Sequence, residues 1–457
     1  MTWGVPLTTA AQQTQPAPPD APAAAPTAPP AGRIPVHLRL IVTGDPASAE
    51  FLQTQISAAI AAAVQPSLTP GSSVNAAAPL PAAQDLDSGF LTGFTVPVAL
   101  DPGPGSVAVR GLTAVDVENR TLPGFRPFTL AFADDPERIT ADGVLSRTTV
   151  ARSHSARIYY YHENMGVARR FCVVLTANDS VRSHVQIVGA AAGPNTDVMG
   201  VGHAVAKTFL TVEPHAEGVV LPISGGKPIL ERDTLAGPGD GIVGALDVRV
   251  LDGGPVTATV MAIPPGAEPP AYLYGRKLPD DGHARHGSFR LHGFGERIVA
   301  YSAGGRDVSY TYGSRQQTPT NADPLDAGHD YGDYGVVQRI AFDLDNPGRS
   351  SATIYLYEKP LGGDVRSSFV VNGALADLGC VRVPQRYLIA SLDLAPRAAG
   401  VFDVLTTTDG GSNYPLEIGV TTTPPLPATP AISAADGCFP KPGGPAAAQP
   451  APPPAGH

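Results

Sequence analysis

Three cysteines, one tryptophan and 31 basic residues are few for a chain of 457, and each shortage removes a class of function. The lysines and arginines form no run, and the formal net charge is -10. Nucleic-acid binding needs a concentrated basic face, so no nucleic-acid partner is expected. The one tryptophan is Trp3, inside an Ala/Pro-rich start. A glycosidase cleft or an aromatic sugar platform is short of material. No apolar run reaches the length of about 18 residues that a membrane-spanning helix needs, so no integral membrane span is expected. Cys-x-x-Cys is absent, which excludes a zinc ribbon and a thioredoxin-type motif. No strand-GxGxxG-helix, no GxxxxGK[ST] and no Gly-x-Ser-x-Gly occurs, so no nucleotide or other cofactor is expected and no catalytic residue is assigned.

Glycine and proline are abundant, at 50 and 49. Eight prolines fall in residues 1–33 and eleven in 423–457. These tails offer few side chains able to pack, and both are expected to be disordered. Between them glycine and proline punctuate short strands. The fold class expected is mainly β: two tandem antiparallel β-sandwich-like domains, at 89–265 and 285–422, joined by a Pro-rich connector at 266–284. A small strand-helix appendage is expected over 34–88. Its helix has Asp45 as N-cap and Pro46 in the first turn, and Leu52, Ile56, Ile60 and Val64 form one apolar stripe. Residues 207–213 are read as a strand.

One motif occurs twice. Residues 171–188 and 340–357 each read as an apolar strand and a turn opened by Asn178 or Asn346. An Arg-Ser pair (Arg182-Ser183, Arg349-Ser350) and a second apolar strand follow. The pattern predicts two equivalent β-hairpins with Val173, Leu175, Phe342 and Leu344 facing a core. These turns resemble those of immunoglobulin-like and fibronectin-like sandwiches. That resemblance implies a fold and no function.

The candidate chemistry is sparse. Asp323, Asp326, Asp330 and Asp333 lie on a Gly-broken loop, the kind of oxygen-rich segment that suits calcium. Their spacing departs from an EF-hand, and the loop is expected to be solvated surface. Tyr331 and Tyr334 flank these acids and are candidate ligand-binding residues, as is His162 at the end of an aromatic strand. Asn164 is expected to cap the loop after that strand. His283, His286 and His292 fall close together on a Gly-broken segment read as a solvated loop. Gly200-Val201-Gly202-His203 reads as a tight turn feeding a buried segment. Cys172 sits in an apolar strand as a core residue, while Cys380 and Cys438 are candidates for a disulfide.

These features point to a non-enzymatic exported or cell-envelope protein, with structural, adhesive or ligand-binding modules. Other envelope proteins or surface glycans are the expected partners. The alternative is a hydrolase of an extracellular or cell-surface polymer, working through carboxylates such as Glu163, Asp330 or Asp333.

Overall fold

The computed structural model describes residues 28–76, 84–124, 126–177, 181–224 and 229–427. Most of both expected tails, at 1–27 and 428–457, lies outside the described residues. The chain is mainly β, with several sheets and, among the described residues, two α-helices.

The chain divides into two compact units. The first takes residues up to Leu38, Ser57–Ala78 and Thr95–Ala114. Within it Ser73–Ala76 pairs antiparallel with the end of the strand Leu91–Asp101. Part of the expected linker is fixed here: the Ala31 N–H donates to the Val107 carbonyl at 2.8 Å, and the Ala31 side chain is small enough to be fully buried.

The first helix, α1, runs Ala49–Val64. Its cap differs from the expected one. Asp45 and Pro46 lie in a preceding turn, and the Phe51 N–H donates to Ser48 Oγ at 3.3 Å. Ser48 supplies the side-chain acceptor that the first helical turn lacks. Leu52, Ile56, Ile60 and Val64 are buried as one stripe, as their four-residue spacing requires.

The second unit holds two sheet pairs. In the first pair, a long sheet runs in the order Thr320–Asn321, His286–Arg290, Thr129–Ala133, Ser155–Asn164, Gly241–Asp252, Ser183–Asn195, Gly218–Ile223 and His37–Thr43. A four-stranded sheet runs Ile229–Ala236, Arg169–Ala177, Val256–Ile263 and Gly143–Val150. Alternate side chains of both sheets, Ile158, Leu246 and Val248 from one and Val173, Leu175 and Val260 from the other, meet in a first core. In the second pair, five strands run Glu296–Ser302, Val337–Asp345, Ala399–Thr407, Val365–Val371 and Ala374–Val381. Four more run Val308–Tyr312, Leu416–Thr421, Ala352–Pro360 and Tyr387–Leu394. Their second core includes Phe342, Leu344, Phe369 and Phe402 against Ile354, Leu356 and Ile418. His286–Arg290 joins the long sheet of the first pair, beside Thr129–Ala133.

The repeated motif is not a hairpin in either copy. Arg169–Ala177 pairs with Ile229–Ala236 and Val256–Ile263, whereas Ser183–Asn195 pairs with Gly218–Ile223 and Gly241–Asp252 in the other sheet. Val337–Asp345 and Ala352–Pro360 likewise belong to different sheets. Each copy is an arch that carries the chain across its core. The four apolar side chains expected inward are buried, so the pattern marks the core-facing side of a strand but not its partner. Asn346 braces its arch: its Nδ2 donates to the carbonyls of Ser350, Leu394 and Ala395 at 3.0–3.1 Å. Residues 178–180, including Asn178, lie outside the described residues.

The second helix, α2, runs Val198–Val212. It replaces the strand expected at 207–213. Asp197 caps it, with Oδ1 accepting from the Gly200 N–H at 2.9 Å. Val201, Val205 and Phe209 pack with Tyr159, Tyr161, Val243 and Ala245 of the long sheet, and Val337, Val370 and Leu405 of the five-stranded sheet join the same cluster. Gly200 and Gly202 therefore lie inside a helix, where they permit a close approach. A Cβ on Gly202 would fall 2.0 Å from the Gly410 carbonyl oxygen, a backbone atom with little room to move. Gly202→Ala is expected to destabilise the chain by about 1–3 kcal/mol through overpacking. Thermal melts test this beside Gly266→Ala, where an added Cβ meets nothing within 4 Å and no such loss is expected.

Candidate functional site

One dense set of ionisable side chains lies where α2 meets the second core. His203 is buried on α2. Its Nδ1 is 2.6 Å from Asp409 Oδ2, and its Nε2 is 2.7 Å from Asp377 Oδ1. Lys207, one turn further along α2, donates from Nζ to Asp377 Oδ2 at 2.5 Å. Arg366, in the strand Val365–Val371, donates from Nη1 to Asp197 Oδ2 at 2.7 Å, so the α2 cap is itself tied to the second core. Glu358 and Ser367 stand behind this group, with Ser367 Oγ donating to Glu358 Oε2 at 2.6 Å. Asp409 Oδ1 and Glu358 Oε1 are buried without a hydrogen-bond partner among the described residues.

Burial sets the electrostatics of this group, and pairing modifies it. Desolvation pushes Glu358 up to about 8. It also drives Asp409 up to about 6, although His203 pulls the other way. Burial opposes the charge on His203, but Asp409 and Asp377 outweigh it and the imidazole is raised above its ordinary value. Burial likewise works against Asp377, yet Lys207 and His203 hold that carboxyl below the usual range.

A second ionic group lies near the far end of α2. Arg157, fully buried, grips Asp247 with two bonds of 2.6 and 2.8 Å and donates to the Gly335 carbonyl at 3.0 Å. Its guanidinium lies 4.6 Å from the Phe209 ring centroid. Glu213, just past α2, accepts from Arg339 at 2.6 Å. The adjoining cleft, lined by Arg126, Arg157, Glu213, Glu296 and Arg339 among others, is only about 40 Å³.

Asp135, Asp280 and His286 each offer one ligand atom, all within 4.8 Å of one another, and are the set that could hold a cation among the described residues. His286 Nδ1 is 3.1 Å from Asp135 Oδ2, and its Nε2 is 3.4 Å from Asp326 Oδ1. Lys277 competes for Asp280 at 3.1 Å. His286 thus leaves the solvated loop expected for it and joins Asp326 of the expected calcium loop.

The four acids of that loop occupy three environments. Asp323 is exposed and accepts from the Leu325 N–H at 2.9 Å. Asp326 faces His286. Asp330 and Asp333 are fully buried, so this half of the loop is not the solvated surface that its charge suggested. Asp330 Oδ1 accepts from the Tyr334 N–H, and Asp333 Oδ2 from the Gly313 N–H, both at 2.8 Å. Backbone donors, one from the loop itself and one from Gly313, let the acids turn inward, and Asp333 adopts a left-handed φ of 55° that aspartate tolerates.

The ligand-binding candidates are also partly enclosed. Tyr334 donates its hydroxyl to the Ser412 carbonyl at 3.0 Å and lies nearly parallel to Phe132. Tyr331 remains exposed, stacked on His329 at 3.7 Å between centroids, with Arg315 5.3 Å from its ring centre. His162 is fully buried, with Nδ1 3.0 Å from the Pro136 carbonyl, and desolvation lowers it to about 4. Asn164 does brace its loop, donating to the carbonyls of Val167, Ala236 and Gly237 at 2.9–3.0 Å. Glu163 pairs with Arg138 at 3.3 Å. Cys172 is a free, buried thiol. Cys380 is disulfide-bonded, and Cys438 lies outside the described residues.

Sequence reasoning missed the His203 group because its members stand far apart in the chain. The available signal was Asp197 as a cap, followed by Val201, Val205 and Phe209 at helical spacing, with His203 on the opposite face.

No family model matches the chain, and no curated protein matches it. Solved structures do give matches. Lac15 from a marine microbial metagenome is 13% identical, over 73% of this chain and 72% of that one, with a TM-score of 0.14. The CBM22-1-CBM22-2 tandem domain of Paenibacillus barcinonensis Xyn10C is 10% identical, over 62% and 91%, also at 0.14. A multicopper oxidase from Campylobacter jejuni is 10% identical, over 69% and 66%, at 0.11. At these TM-scores the likenesses carry no argument about this chain.

The buried acids have a measurable consequence. Desolvation pushes Asp333 up to about 7, above the value of about 3.9 for an unfolded aspartate. The folded state then binds the extra proton, so this contribution is present at low pH and is lost as pH rises through the folded value. Asp333→Asn removes the titration. Denaturant unfolding is expected to show the variant gaining on the wild type between pH 4.5 and 8, by on the order of 3 kcal/mol.

Proposed function

We propose that the chain is a non-enzymatic exported or cell-envelope protein, whose two sheet pairs act as β-sandwich modules with a structural, adhesive or ligand-binding role. The observation that carries this reading is the use made of the ionisable groups. His203, Asp377, Asp409, Arg157 and Asp247 bind α2 and the two cores to one another, in places with little or no room for a substrate. Of the three acids named for a hydrolase, Asp330 and Asp333 are fully buried and Glu163 is paired with Arg138. The disulfide at Cys380 supports an oxidising compartment. Envelope proteins or surface glycans remain the partners proposed.

Two measurements test this. Protein taken from its native cells, acid-quenched and denatured without reductant, is expected to take up one thiol label, at Cys172. After reduction it should take up three, with Cys380 and Cys438 released together. Three labels before reduction would remove the support for export. Incubation with a panel of cell-surface polysaccharides is expected to release no reducing ends. Sustained release, lost on Asp330→Asn or Glu163→Gln, would replace this reading with the hydrolase one.

A further inference from the structure

Both ring nitrogens of His203 face carboxylate oxygens at 2.6 and 2.7 Å. With both carboxylates ionised, each only accepts hydrogen bonds, so both ring nitrogens then carry protons and the ring is an imidazolium. We propose that the seat of α2 on the second core is a proton-operated latch, closed while the His203 imidazolium bridges Asp409 and Asp377 and loosened when that proton leaves.

Neutral imidazole has one N–H. On its loss a ring lone pair would confront an oxygen lone pair at under 3 Å. Asp409 is fully buried, away from bulk solvent. Asp409 has already given up its own proton above about pH 6, so the pair must then separate. The other groups around the ring offer no replacement charge, apart from Arg366, whose guanidinium also favours the ionised Asp409. On α2 itself, Lys207 is held by Asp377 and Asp197 by Arg366. Glu358, once it ionises, carries the same sign as Asp409. The long sheet places Tyr159 and Tyr161 behind α2, and Tyr312 and Tyr414 lie near Asp409. All four hydroxyls are raised by burial and stay neutral.

The direction of the switch follows. His203 titrates above its unfolded value because its carboxylate partners outweigh burial. The stability it contributes is complete below about pH 6.5 and is lost as pH rises through the higher folded value. Glu358 releases its proton at about 8 and adds a like charge beside Asp409 in the same rise. On the acid side, Asp409 at about 6 gains a proton on one oxygen while the other still accepts from His203, so the latch stays closed.

Hydrogen exchange on the full chain between pH 6 and 9.5, corrected for the intrinsic rate, tests this. Amides of α2 and of residues 374–381 are expected to lose at least about tenfold protection above the midpoint, while residues 143–150 keep theirs. Asp377→Asn keeps an acceptor for Nε2 but removes a charge, and should move the midpoint down by about one pH unit. Lys207→Met frees Asp377 for His203 and should move it up. Constant protection of α2 across the range would overturn the latch. So would a midpoint that neither substitution moves, or that both move the same way.

Discussion

The contact between the two cores of the second unit depends on how closely α2 approaches the backbone of the second core. With a hydrogen in place of a side chain at Gly202, the helix lies against the Gly410 carbonyl. Only at that separation can His203 reach Asp409, next to Gly410 in the chain. Apolar packing supplies the attraction, through Val201, Val205 and Phe209. The ionic groups at the two ends fix the register. Arg366 holds the cap, and Arg339 holds Glu213 past the last turn. Sliding α2 by one residue would break both pairs and bring a larger side chain against Gly410.

The cost of this arrangement is visible in the buried acids. Glu358, Asp330, Asp333 and Asp409 all lie out of reach of solvent, and each leaves an oxygen without a hydrogen-bond partner among the described residues. A carboxylate in such a place is more stable as a neutral acid, so the folded chain stores protons that the unfolded chain would release.

The sequence disclosed strand faces far better than strand partners. Val173, Leu175, Phe342 and Leu344 lie inward as alternation requires, and the α1 stripe is buried as its spacing requires. Alternation reports which side of a strand is dry, and that holds whichever sheet the strand joins. A polar turn between two apolar strands fits a hairpin and an arch equally, so both copies of the motif were read with the wrong neighbours. In α2, Thr208, Thr211 and Val212 have the side chains of a strand, and two glycines weaken the helical pattern. Tertiary contact on both faces overrides that local preference. The acids at 330 and 333 resembled surface residues because their backbone partners come from loop geometry that spacing does not encode.

The arches also bear on the order in which the chain can fold. A hairpin closes as soon as its two strands exist. Arg169–Ala177 has no such neighbour: Val173 lies opposite Val260, and Phe171 opposite Thr234 and Ala262. The four-stranded sheet cannot close until residues far downstream have been made, and long-range closures of this kind are slow. The first core of a nascent chain therefore stays open until the strand Val256–Ile263 has been made.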